Sequence, residues 1–390
     1  MLNKASGAAT RSLKIGIATA GRFHVLDLAR ELDELGHEVT LYSFVPRRRA
    51  HAFGLPYRSH VALLPLVFPL VAWERLLPKV GTHLRERLLH KALDWAVVLR
   101  MRPCDVLVFM SGIYVEAARS ARRRFGARLW LERASQHVLA QDELLAAVGA
   151  ERPSAGAIRR ELTGYAEADR IVIASSHVQE SFRRDPNAYA KLFRNPYGVD
   201  IAMFTPPKTK PRNNPLVFLY AGAWSLRNGC DVLTDAFRLV AGVRLVHVGN
   251  IGDCPFPKND ERFEHVDTVP QWKLCDFYRA ADAFVLASRE DGFGMVLSQA
   301  LASGLPIIGT DRTGAPDLAM TPALAARIAV VPQGSAEALA SAVAALADRL
   351  NSDRPFPPLD QSDREALSWA AYGRRYSGEL VRDWELERAS

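Results

Sequence analysis

Apolar positions along the chain fall into short continuous runs, separated by stretches in which they recur every three to four residues. That is the alternation of buried parallel strands with amphipathic helices. Residues 13–19 form a first such run. A helix is predicted over 23–35, with Leu26, Leu28, Ala29, Leu32 and Leu35 as its apolar stripe, and Gly36 ends it before a second strand over 38–44. Further strands are predicted over 104–110, 128–132, 217–221, 244–248, 263–266 and 283–287. A final amphipathic helix spans 369–386.

The strand–helix pattern runs twice, on either side of a stretch rich in Pro, Lys and Asn at 206–214, which is predicted to be a linker. The expected class is α/β, with two doubly wound Rossmann-like domains at 13–205 and 215–368, a disordered lead-in at 1–12 and a C-terminal helix at 369–390. A length of 390 residues agrees, because it exceeds what one ordinary core takes.

One segment breaks the pattern. Residues 61–73 are apolar throughout but interrupted by Pro65 and Pro69, too short to span a bilayer and ill suited to a regular helix. Arg47, Arg48, Arg49 and Arg58 precede it, and Arg75, Lys79, Arg85, Arg87 and Lys91 follow. Apolar residues beside a cationic stretch describe a surface that rests on an anionic membrane. The alternative is a buried strand-loop beside a solvated basic helix.

Charge supports an anionic partner for the first half. Residues 1–200 hold 30 Lys and Arg against 20 Asp and Glu (+10), the remainder 20 against 23 (−3), which gives the net +7. The four cysteines are scattered without a C-x-x-C pair, against a disulfide framework or zinc site and for a reducing compartment. Residues 1–12 lack the apolar core of a signal peptide, so a cytoplasmic setting is expected, peripheral at the inner face of the plasma membrane. Nucleic acid is not among the expected partners.

The candidate chemistry concentrates between Ser288 and Asp317. Glu290 and Asp291 follow the strand over 283–287, where open α/β sheets bind ligands. Gly292 and Gly294, flanking Phe293, let the backbone come close to a ligand, and the next helix aims its first free N–H groups at an anion. Gln299 lies two helical turns beyond Asp291 and can share that ligand. His137, after the strand over 128–132, occupies the equivalent strand end of the first domain, with Arg133 and Ser135 as further candidates. No D-x-D pair stands at a strand end, so no metal is expected.

Asp291 and Gln299 stand where the E-x7-E signature of the retaining glycosyltransferases of family 4, with the GT-B fold, carries its two acidic residues. The chain resembles that family from residue 13 to its end. Gly21 matches the second glycine of the family's opening loop, beside Arg22 as an acceptor-side candidate, while G-x-G-x-x-G is absent. Residues 165–174 resemble the family's Y-x-x-A-D strand, Asn195-Pro196-Tyr197-Gly198-Val199-Asp200 its N-P-x-G-V-D turn, and Phe204-Thr205-Pro206 its F-x-P. The loop from Gly222 to Gly229 resembles the one that neutralises the donor diphosphate, with Asn228 in place of the family's Lys and Arg227 beside it.

The resemblance implies two domains facing an interdomain cleft, with the last helix crossing back to the first. It implies sugar transfer with retention from a nucleotide diphosphate sugar, UDP favoured over GDP, without cofactor or metal, the leaving phosphate assisting acceptor deprotonation. Its acceptor would be a glycan or polyprenyl-linked glycan, as in polysaccharide biosynthesis. His137, Glu290 and Asp291 would be catalytic; Gly21, Gly222, Arg227, Asn228, Val266, Gly292, Phe293, Gly294 and Gln299 would bind donor. Asn228 and Gln299 depart from the family's residues, which keeps open a catalytically attenuated partner subunit of an assembly complex. An epimerase of the same fold would release free sugar instead.

Overall fold

The computed structural model describes residues 11–21, 23–76, 82–207, 209, 213–352 and 356–389. Strands β1 (Lys14–Ala18), β2 (Glu38–Ser43), β3 (His60–Ala62), β4 (Val106–Met110), β5 (Arg128–Glu132), β6 (Arg170–Ile173) and β7 (Leu192–Arg194) form one sheet. Its order is β3-β2-β1-β4-β5-β6-β7, and every pair is parallel. A second parallel sheet has the order β10-β9-β8-β11-β12-β13. Its strands are β8 (Leu216–Ala221), β9 (Val243–Val248), β10 (Phe263–Val266), β11 (Ala283–Leu286), β12 (Ile307–Thr310) and β13 (Ile328–Val331).

Central strands are apolar on both faces because helices cover both sides: β4 and β8 are buried at every residue. In each sheet the order reverses beside the first strand, between β1 and β4 and between β8 and β11. A crevice opens at such a reversal, outside the carboxyl ends of the strands.

The last helix, Trp369–Ala389, packs on the first domain. Asp383, nearly buried, accepts from the guanidinium groups of Arg128 (3.0 Å) and Arg170 (3.1 Å) and from Trp130 Nε1 (3.0 Å). The chain therefore crosses between domains twice. The crossings touch where Val199 pairs with Ser368: Val199 N–H donates to Leu367 O (2.8 Å) and Trp369 N–H to Val199 O (3.3 Å). Trp369 packs so close to Gly198 that a Cβ there would strike its backbone.

Two local expectations need correction. The segment with Pro65 and Pro69 is helical, Leu64–Leu76. Pro65 lies in the first turn, where a missing N–H costs nothing, and both prolines lie on the exposed side, where water can take the freed carbonyl. Val67 is fully buried on the other side, whereas Leu66 and Phe68 are exposed. Tyr165 belongs to the helix Ala155–Glu167, not to a strand: the apolar run that marks β6 begins only after Asp169. Residues 1–10, Arg22, Lys79 and part of the predicted linker lie outside the described residues. Among the described residues no helix is long and apolar enough to cross a membrane.

Candidate functional site

A cavity of about 640 Å³ lies between the domains. The second domain lines it with Asp291, Phe293, Gly294, Met295 and Gln299, the first with Phe23, His24, Asp27, Arg30 and Ala134.

On the second-domain side, β11 runs through the turn 287–294 into the helix Met295–Ala302. Gly294 has φ +74°, a conformation that only glycine adopts without strain. Glu290 is buried at 1% exposure. Its Oε1 accepts from Ser135 Oγ (2.7 Å) and Gln136 N–H (3.4 Å), and its Oε2 from Arg227 Nε (3.0 Å) and Nη2 (2.6 Å). Burial alone would raise its pKa. The Arg227 charge and the bonds from Ser135 and Gln136 outweigh it and hold the carboxyl below its ordinary value.

Glu290 thus ties the second domain to the first, and it does not line the cavity. Asp291 does, but its Oδ1 accepts from the N–H groups of Phe293 (3.1 Å) and Gly294 (2.8 Å). Those two donors are occupied by the chain's own carboxylate, so the N–H groups left for an anion begin at Met295.

Gly292 corrects another expectation. A Cβ there would run into Ala134 O, so glycine serves a close approach to the first domain's backbone, not to a ligand. Ser175 Oγ donates to Gly292 O (2.6 Å) and His177 Nε2 to Asp291 O (2.6 Å), which adds two bonds across the same boundary.

The loop after β8 is held internally. Asn228 Nδ2 donates to Ala223 O (2.8 Å) and its backbone N–H to Ser225 Oγ (3.3 Å). Gly222 stands at the start of this loop with φ +151°, and Val266 closes β10, accepting from Gly249 N–H (3.0 Å). Neither Gly222, Arg227, Asn228 nor Val266 lines the cavity. Gln299 does, at 7% exposure, with Tyr278 hydroxyl bonded to its Oε1 (3.0 Å).

In the first domain four expectations fall elsewhere than the cavity. His137 is 1% exposed and caps the helix Val138–Ala147, its Nδ1 accepting from Leu139 N–H (3.3 Å). Its ring packs against Tyr165 and Phe182, and burial followed by the nearby Arg184 charge lowers its pKa to about 4. Arg133 is spent on shaping its own loop, donating to Gln136 O (2.7 Å), Glu161 (2.9 Å) and Gln141 (2.9 Å). Ser135 is committed to Glu290. Gly21 lies at the open mouth of the first loop, with only the Phe23 ring near its missing Cβ.

The residues that do face the cleft from this side, His24, Asp27 and Arg30, recur every third position on the helix His24–Glu34. That spacing places them on one polar face just past β1; the sequence reading followed only the apolar stripe beside it. His24 Nε2 bonds Glu132 Oε2 (2.9 Å), and Glu132 Oε1 accepts from Tyr376 hydroxyl (2.7 Å) on the last helix. The imidazole stacks on Tyr197 with centroids 4.2 Å apart. Asp27 pairs with Arg30 (2.8 Å). Among the described residues no group of three or more His, Cys, Asp or Glu is placed to hold a metal ion.

Two Rossmann-like domains facing one cleft make this a GT-B fold, and solved glycosyltransferase structures superpose on it. Sucrose-phosphate synthase from Thermosynechococcus elongatus aligns with TM-score 0.65 at 18% identity over 97% of this chain and 100% of its own. Anabaena HepE in complex with UDP-glucose aligns with TM-score 0.60 at 14% identity, over 95% and 100%. Residues 215–349, most of the second domain, match the family described as "Glycosyl transferases group 1". A D-inositol 3-phosphate glycosyltransferase from Xylanimonas cellulosilytica is 29% identical over 174 residues, 36% of this chain. The match spans 42% of that relative's length.

Proposed function

We propose that the chain is a retaining glycosyltransferase that moves a sugar from a nucleoside diphosphate sugar, UDP before GDP, to a glycan or lipid-linked glycan. The observation that carries this reading is the cavity itself. Asp291, Gln299 and the start of the helix Met295–Ala302 face it at the carboxyl edge of one sheet, and His24, Asp27 and Arg30 face it from the other.

In this reading the nucleotide lies against the second domain. Gln299 meets the ribose, and the N–H groups at Met295 and beyond face the diphosphate, where the helix end favours negative charge. Charge grows on the diphosphate as it leaves, and preorganised donors stabilise that change more than they stabilise the ground state. Arg227 does not line the cavity, but Glu290 holds it through Nε and Nη2, which leaves Nη1 to reach a phosphate oxygen from beyond the lining. The leaving oxygen can accept the acceptor's proton, so neither a separate base nor a metal is required. Glu290 aligns Arg227 and the first domain, and Asp291 shapes the helix start beside the sugar.

The acceptor enters past His24, Asp27 and Arg30, which offer hydrogen bonds and both signs of charge to hydroxyls or a phosphate. A lipid-linked acceptor at the inner membrane face suits the exposed apolar residues of the helix Leu64–Leu76. Arg85, grouped with the basic surface by its sequence, is buried and does not join it. The family match at 215–349 carries a transferase name, and the alternative of a catalytically attenuated partner subunit is not favoured.

The test is nucleotide release from a panel of UDP- and GDP-sugars with and without chelator, the product's anomeric configuration read by NMR. Release unaffected by chelator and a retained anomer are expected. An inverted product, or no binding of any donor by calorimetry, would overturn the reading.

A further inference from the structure

A second cavity, of about 880 Å³, lies in the first domain among the helices Thr82–Arg100, Val115–Phe125 and Ala155–Glu167. It shares no lining residue with the interdomain cleft. Arg87, Lys91, Arg159 and Arg160 line it. The first three are exposed and have no carboxylate partner among the described residues, while Arg160 Nε donates to Gly112 O (2.9 Å).

Of the carboxylates in the same wall, two are already used. Asp94 accepts the N–H groups of Glu116 (3.0 Å) and Ala117 (2.7 Å), and burial pushes its pKa up to about 6. Glu116 pairs with Arg119 (2.8 Å). Glu86 alone opposes the cations. His90 contributes a ring whose Nδ1 is buried without a hydrogen-bond partner.

The cavity's outer edge is apolar. Leu84, Leu88, Trp95 and Leu99 of the helix Thr82–Arg100 are 55%, 39%, 56% and 73% exposed. At spacings of four, seven and four residues they fall within about 60° of one another around the helix. Arg87 and Lys91 flank that stripe on its cavity side, and Trp95 belongs to both. One helix therefore presents three faces: a buried one, an anion-seeking one and an exposed apolar one. Long apolar side chains in an ordered stripe beside unpaired cations suit a molecule that is itself apolar at one end and anionic at the other.

We propose that this cavity is a headgroup site for an anionic membrane phospholipid, its phosphodiester held by Arg87, Lys91 and Arg159 and its acyl chains lying along the Leu84–Leu99 stripe. The assignment deepens the membrane-side acceptor reading by naming the lipid contact, but vesicle binding needs no turnover, so the two fail separately.

The test is co-sedimentation of the full chain with phosphatidylcholine vesicles with and without phosphatidylglycerol, with calorimetry against inorganic phosphate as a second arm. Wild type should bind only the anionic vesicles. Lys91→Gln and Arg159→Gln should each weaken that binding roughly fivefold, the worth of one basic residue near an anionic surface. Lys258→Gln, at an exposed lysine of the second domain, should stay within about twofold. All three should keep wild-type melting and donor affinity. Equal weakening by Lys258→Gln, indifference to phosphatidylglycerol, or phosphate binding at Arg159 without vesicle binding would each overturn the proposal.

Discussion

The two sheets each end a central strand on a buried carboxylate, and the two carboxylates are held differently. Glu132, the last residue of β5, is held by His24 and Tyr376, both packed within the first domain once the last helix is counted as part of it. Glu290, beyond β11, is held by a permanent cation in its own domain and by Ser135 and Gln136 in the other. The first arrangement fastens a helix to the domain it completes. The second fastens one domain to the other and also fixes the arginine proposed to meet the diphosphate. Cleft geometry and arginine orientation therefore depend on the same side chain.

The largest effect should come from Glu290→Gln. The amide keeps the shape but not the charge, leaving Arg227 unpaired; because Arg227 is partly exposed, the expected loss is on the order of 3 kcal/mol, read by urea unfolding. Donor affinity should fall with it. A variant as stable as wild type would mean that the boundary does not depend on this contact.

Acid should separate the two regions. His137 has its pKa lowered from the ordinary 6.5 to about 4, so the unfolded chain takes up a proton that the folded one refuses. Its contribution is complete above 6.5 and is lost as pH falls toward 4, on the order of 2 kcal/mol. Glu290, held below its ordinary value of 4.5, contributes stability above that value and loses it only as pH falls through its lowered one. Moderate acid should therefore loosen the first domain while the Glu290 contact persists. His137→Gln should flatten the upper part of the stability–pH curve, and an unchanged curve would contradict the assignment.

Glu132→Gln should be milder, about 1–2 kcal/mol, because its partners are a hydroxyl and an imidazole that an amide can still meet in part. Limited proteolysis should show the last helix released more readily; if the Glu290→Gln variant releases that helix equally, the distinction between the two carboxylates fails. The smallest change is Gln299→Glu. A carboxylate accepts a ribose hydroxyl more strongly than an amide does, so nucleotide should bind about fivefold more tightly by calorimetry. Weaker binding would place Gln299 away from the ribose.

Much of this architecture was legible from the chain alone, because continuous apolar runs and Gly36-type stops mark buried parallel strands and helix ends directly. The apolar runs of β8, β9 and β11 predicted their limits to within one residue. What the pattern missed follows from tertiary contacts. Pro69 is tolerated because its side of the helix faces water, and Gly292 is required by Ala134, which is distant in sequence. His137 follows a strand in the right place, yet its ring turns toward Tyr165 and Phe182, a choice set by packing. His24, Asp27 and Arg30 left a visible trace in their three-residue spacing. Nothing local says that such a polar face looks into a cleft and not into bulk solvent.

The pairing of Val199 with Ser368 restricts how the molecule can move. Two chain crossings joined side by side act as a torsion ribbon. Such a ribbon twists and bends about its own axis but resists sliding or separation, so of the six rigid-body freedoms between the domains it leaves mainly rotation. Opening the cleft then becomes a swing about that pairing, and it must part Ser135 from Glu290 and Ser175 from Gly292, the bonds that cross the boundary.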